Sequence, residues 1–176
     1  MLELDSPSRL RPRAATCDRV FLLPGQWYFS QKAAIVKTLL GSCVAVTLWH
    51  PQRRMGGMCH FLLPSRVRAF HAELDGRFGD EAISLLLREI DKSGTRPADY
   101  EAHLYGGADT MPDQARVKFN IGERNVEKAF ELIDQQGFQL MAVDVGGNEP
   151  RSVSLDLAGG LVDLRRGPPT GHGRAP

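Results

Sequence analysis

Residues 37–64, KTLLGSCVAVTLWHPQRRMGGMCHFLLP, carry the reading on which the fold depends. Val44, Val46 and Leu48 alternate with Ala45, Thr47 and Trp49, the period of two of a β-strand, and His50-Pro51 stops the run. Gly57 to Leu63 forms the next predicted strand, closed by Pro64. The intervening PQRRMG suits a turn that folds the two strands into an antiparallel hairpin. Upstream, Gly41-Ser42 lead into Cys43, so a thiol stands at the start of a strand, after a glycine that lets backbone come close. His60 lies in the second strand, where a hairpin brings its ring beside that thiol.

Outward from this segment, Arg19–Leu23 is a short strand ended by Pro24-Gly25. Two amphipathic helices follow the hairpin. In DEAISLLLREIDKSG, Ile83, Leu86, Leu87 and Ile90 share a face, acids open the helix and Gly94 lies past its end. In GERNVEKAFELIDQQG, Val126, Ala129, Phe130 and Ile133 repeat the spacing and Gly137 ends it. Further strands are expected at Tyr100–Tyr105, Arg116–Phe119, Phe138–Val145, Arg151–Leu157 and Leu161–Arg165, with turns at Gly146-Gly147-Asn148 and Gly159-Gly160. No repeat or Pro/Gly-rich linker interrupts this series. The expectation is one domain over 18–166, between a mobile leader at 1–17 and a disordered tail at 167–176. Its class is α+β: a layered α-β-β sandwich of mostly antiparallel sheets, with two amphipathic helices on one face.

Composition narrows the function classes. Lys plus Arg number 22 against 21 Asp plus Glu, so no strong field favours nucleic acid or an anionic membrane. Apolar runs are short, which argues against membrane insertion. Three cysteines without a CxxC pair fit free thiols in the cytoplasm rather than a disulfide framework. Cys43, His50, Cys59 and His60 lack the spacing of zinc ligands, so no metal and no cofactor is expected. Gly106-Gly107 and Gly146-Gly147-Asn148 lack a nucleotide fingerprint and are expected as tight turns near the site. Trp27 and Tyr28 are assigned to core packing, and His71, His103 and His172 to surface or core positions.

An imidazole beside a thiol can lower its pKa and later protonate a leaving amine, which is the need of a cysteine hydrolase. On residue types alone, Cys43 reads more readily as a small buried hydrophobe and His60 as a strand histidine. Adjacent strand residues point to opposite faces, so Cys59 should enter the core if His60 faces a site. Cys17 has no assigned role.

The ordered blocks TLLGSCVAV (38–46), GGMCHFLLP (56–64), YGGADTM (105–111), NIGERNVE (120–127) and VGGNEPRSV (145–153) resemble the chemoreceptor glutamine deamidase family, CheD. The resemblance implies a Cys–His–Thr constellation falling on Cys43, His60 and Thr38, and the backbone N–H groups of the turn at Gly41 and Ser42 are well placed to bind a developing oxyanion. Some relatives carry an extra Gly between that Thr and the Cys, so here Thr38 reads equally as an orienting hydroxyl and as a β-branched residue ending a strand. The implied reaction converts receptor glutamines to glutamate through a thioester, with hydrolysis of glutamyl methyl esters by the same intermediate. Implied partners are chemoreceptor cytoplasmic domains and a CheC-like phosphatase. Two other readings stay open: a non-catalytic adaptor that docks on those partners, and an amidase acting on another protein, like the cytotoxic necrotizing factor deamidases.

Overall fold

The central hairpin forms the middle of a five-stranded sheet. The computed structural model describes residues 16–110 and 120–168. Within them lie strands β1 (Asp18–Leu22), β2 (Trp27–Ser30), β3 (Ala34–Leu40), β4 (Val44–His50), β5 (Met55–Phe61), β6 (Glu101–Gly106), β7 (Gln139–Val145), β8 (Arg151–Asp156) and β9 (Val162–Arg166), with helices α1 (Gly79–Lys92) and α2 (Ile121–Gln136). One sheet runs β2-β5-β4-β6-β7 and the other β1-β3-β8-β9. All pairings are antiparallel except β1 with β3 and β6 with β7. The strand expected at 116–119, residues 1–15 of the leader and residues 169–176 of the tail lie outside the described residues.

The pleat assigns each side chain of the five-stranded sheet to one of two cores. Val44, Val46 and Leu48 of β4, Cys59 and Phe61 of β5, and Leu104 of β6 pack against Ile83, Leu86 and Ile90 of α1 and Ala129 and Ile133 of α2. The alternate residues Ala45, Met58 and Tyr105 face the second sheet, where they meet Leu22, Val36, Leu40, Val153 and Leu155. This gives three layers: helices, five strands, four strands. Each of the large buried side chains contributes about 1.5–3 kcal/mol by leaving water.

The sequence pattern does not mark strands β2 and β3, and one expected helix face needs correction. In β3 the row Ala34, Val36, Thr38 and Leu40 is buried, but Leu39 on the outer row is 60% exposed, and this apolar residue blurs the period of two. On α2, Val126, Ala129 and Ile133 pack as expected, but Phe130 is 39% exposed while Leu132 is buried, so the packed stripe is rotated slightly from the one expected. Trp27 and Tyr28 lie in β2 and pack partly buried on opposite cores.

Candidate active site

The site forms at one end of the sandwich, where the two sheets face each other. In the β4–β5 ladder Ala45 is opposite His60. Cys43, two residues before Ala45, packs on the same inter-sheet core. Such diagonal positions lie about 7–8 Å apart along the backbone, within reach of a histidine ring. Cys59 sits on the other face, fully buried under the helices. His50 is at the far end of β4, edge-on to Tyr100 with ring centroids 5.2 Å apart, and so belongs to no cluster with Cys43.

Thr38 enters from the opposite sheet. It lies on the inward row of β3, opposite Leu22 of β1 and Val153 of β8, and is fully buried. Its hydroxyl is 2.8 Å from the Leu22 carbonyl and 2.7 Å from His60 Nδ1. A carbonyl oxygen can only accept, so the single hydroxyl proton goes to Leu22. Toward His60 the hydroxyl must then accept, and Nδ1 must carry the ring proton. The Nε2 lone pair is left free. That atom is buried and has no hydrogen-bond partner among the described residues. The shorter segment between Thr38 and Cys43 leaves the hydroxyl within reach of the ring.

The backbone around His60 is also held. Its carbonyl accepts from Gly25 N–H at 2.8 Å and its N–H donates to Gln26 O at 3.1 Å, so the β1–β2 turn grips the strand at the ring. This turn also lines an open hollow with Val20, Leu22, Gly25, Gln26 and Trp27 on its walls.

The Gly41-Ser42-Cys43 turn is pinned at three consecutive carbonyls. Gly41 O accepts from Ala108 N–H at 3.0 Å and Cys43 O from Gly107 N–H at 2.8 Å. Ser42 O accepts from Asn125 Nδ2 at 3.2 Å. Gly106, at φ +109°, has to be glycine: a Cβ there would lie 2.2 Å from the Cys43 carbonyl oxygen. The Gly146-Gly147 turn backs this loop, with Gly146 N–H on Gly106 O at 2.9 Å and Asp109 N–H on Gly147 O at 2.7 Å. Arg151, itself buried, ties the two together by donating to Gly146 O and pairing with Asp144 at 2.8 Å. Both glycine pairs frame the thiol turn through these backbone hydrogen bonds.

Burial governs the electrostatics. It pushes the Cys43 thiol above its ordinary pKa, and the residue's own backbone N–H, facing the sulfur, pulls the other way. It pushes Cys59 up to about 12. His60 is lowered to about 4 by burial, against a smaller opposing effect of the Leu22 carbonyl. At neutral pH the resting pair is therefore a thiol and an uncharged imidazole. The expectation that His60 lowers the thiol pKa is not met at rest, because desolvation dominates both groups.

One polar residue of this region was not singled out from sequence. Asn125 is fully buried in α2. An Asn on the buried face of a helix, three residues after Gly122 and four before Ala129, is a poor helix former where an apolar residue would pack, and that was the available signal.

Residues 62–166 match the family model described as CheD chemotactic sensory transduction. The chain is 42% identical over 161 residues to the "probable chemoreceptor glutamine deamidase CheD 1" of Chromobacterium violaceum, covering 91% of this chain and 83% of that protein. It is 44% identical over 145 residues to a "probable chemoreceptor glutamine deamidase CheD 3" of Dechloromonas aromatica, covering 82% and 85%. A relative from Pseudomonas fluorescens with the same designation, CheD, is 44% identical over 151 residues, covering 85% of each chain. The chain belongs to the CheD family.

Proposed function

We propose that this protein deamidates glutamine side chains of chemoreceptor cytoplasmic domains, with Cys43 as nucleophile, His60 as general base and acid, and Thr38 as the residue that orients His60. The observation that carries this reading is the hydrogen-bond chain Leu22 O–Thr38–His60, which leaves Nε2 as a free base on the face shared with Cys43. The names of the relatives support the substrate class.

The chemistry follows from the neutral resting pair. As a glutamine carboxamide approaches, Nε2 takes the thiol proton while Sγ bonds to the amide carbon. The carbonyl oxygen becomes an oxyanion facing the N–H groups of the Gly41-Ser42-Cys43 turn. His60, now cationic with Nδ1–H on Thr38, donates the Nε2 proton to the departing nitrogen, and the C–N bond breaks to release ammonia. Water then attacks the γ-glutamyl thioester, gives a proton to His60, and the C–S bond breaks to yield glutamate and the thiol. A glutamyl methyl ester enters the same acyl-enzyme by losing methanol. Each turnover adds one negative charge to a receptor helix, which alters its packing. The unpaired thiols of Cys43 and Cys59 support a reducing, cytoplasmic setting for the reaction.

The test is incubation with a receptor cytoplasmic fragment followed by peptide mass spectrometry. The wild type should convert particular glutamines, each with a gain of roughly one dalton, and Cys43→Ala should convert none. Conversion by Cys43→Ala would remove the proposed nucleophile.

A further inference from the structure

The carbonyl of Ser42 and the N–H of Cys43 belong to one peptide unit. In a trans peptide they point in opposite directions, and all described peptides here are trans. Whatever holds the Ser42 carbonyl therefore aims the Cys43 N–H. The holder is Asn125, whose Nδ2 donates to Ser42 O at 3.2 Å and to Leu62 O at 2.8 Å, two residues beyond His60.

The orientation of the Asn125 amide is fixed, because both partners are carbonyls and a flipped side chain would set oxygen against oxygen. Its own Oδ1 is buried with no hydrogen-bond partner among the described residues. A helix interior offers little reason to hold an Asn in that condition, since the orphaned acceptor is costly and the residue is a poor helix former. What Asn125 achieves is a strut. It joins helix α2 to the thiol turn on one side and to the exit of the His60 strand on the other. The helix is itself seated on the neighbouring loop: a Cβ on Gly122 would lie 2.5 Å from Gly107 O, so α2 cannot slide away without opening the contact. Gly107 N–H in turn holds the Cys43 carbonyl.

We propose that Asn125 is the positioning residue of the oxyanion site: by gripping the Ser42 carbonyl it turns the Cys43 N–H toward the oxygen of the reacting amide, and by gripping Leu62 O it keeps that amide in register with His60. This rests on the reading of Cys43 as nucleophile. It assigns a catalytic consequence to a helix residue that touches neither substrate nor thiol.

The experiment compares two reactions of the same sulfur. Deamidation builds an oxyanion; alkylation by iodoacetamide displaces iodide and builds none. Asn125→Asp keeps the shape and replaces the donor with an acceptor, and it should lower kcat for receptor deamidation by about 100-fold, the scale of losing one oxyanion donor. KM and the iodoacetamide rate at Cys43 should each stay within about threefold. Unchanged deamidation overturns the proposal. So does an equal fall in both reactions, which marks a merely structural role. If Asn125→Asp does not fold, the wild type decides: in protein labelled with ¹⁵N-cysteine, a receptor peptide carrying a glutamine-derived γ-aldehyde should move the Cys43 amide proton downfield, and an unmoved resonance overturns the assignment. Cys43→Ala runs alongside. Activity in Cys43→Ala removes the thiol reading and this proposal with it, whereas an inert Cys43→Ala beside a fully active Asn125→Asp overturns Asn125 alone.

Discussion

Cys59 and His60 are neighbours in one strand, yet they belong to two different chemistries. Cys59 lies in the helix-side core with Val46, Phe61, Ile83 and Leu104, where burial pushes its thiol up to about 12 against a smaller opposing effect of backbone hydrogen bonds. His60 faces the opposing sheet, where Thr38 crosses the gap to meet it and Cys43 lies half-exposed on the same side. The helix-covered face is a closed, mostly apolar core in which Cys59 and Tyr100 are fully buried. The inter-sheet face is also largely buried, but Cys43 at the start of β4 is part-exposed, and Thr38 and His60 meet near that end. A sandwich can thus carry a site without a deep cavity: the pleat sorts residues to faces, and the open end of the layer supplies access.

The strongest break of this comparison is to remove each thiol in turn. Cys43→Ala should lower deamidation by about 10⁴-fold or more, the scale seen when a covalent nucleophile is lost. Cys59→Ala should leave kcat within about twofold while the small cavity it opens costs about 1 kcal/mol in stability. Equal losses in the two variants would mean that the faces are not chemically distinct.

Alkylation sharpens the same contrast without mutation. Near neutral pH iodoacetamide should label Cys43 at least about 100-fold faster than Cys59, read by peptide mass mapping, because only a reachable thiolate reacts quickly. A smaller step comes from across the gap. Thr38→Val should lower kcat by about 10–100-fold, the equivalent of leaving Nδ1–H of His60 buried and unpaired, and Thr38→Ser should recover most of it. The smallest effect is on stability. The folded pKa of His60 lies below its ordinary 6.5, so the unfolded chain binds more protons between about 4 and 6.5. Stability is complete above that window and falls by roughly 3 kcal/mol as pH drops through it. Urea melts of wild type and His60→Gln at pH 7 and pH 4 should show this loss in the first and not in the second.

How much of this was legible in sequence depends on whether the signal was local. The β4–β5 hairpin could be read because its alternation and its closing prolines are contiguous, and the helices because their apolar spacing is regular. Strand β3 escaped because Ile35 and Leu39 make its outer row apolar as well, so no period stands out. Cys43 and His60 could be paired through the hairpin register. Thr38 could be named only through the family motif, since its contact with His60 joins two sheets across 22 positions of chain. Asn125 lies 83 positions from Ser42, and no local pattern records such a contact. The pKa directions needed burial, which spacing does not give.

The central claim is that a neutral His60, protonated at Nδ1 by its bond to Thr38, acts as the base for Cys43. The pH dependence of kcat/KM for receptor deamidation tests it most directly. The account predicts full activity at neutral pH and an acid limb falling as pH drops through about 4, where His60 takes up its second proton. A limb at 6.5 or above, with no activity at pH 5, would contradict it.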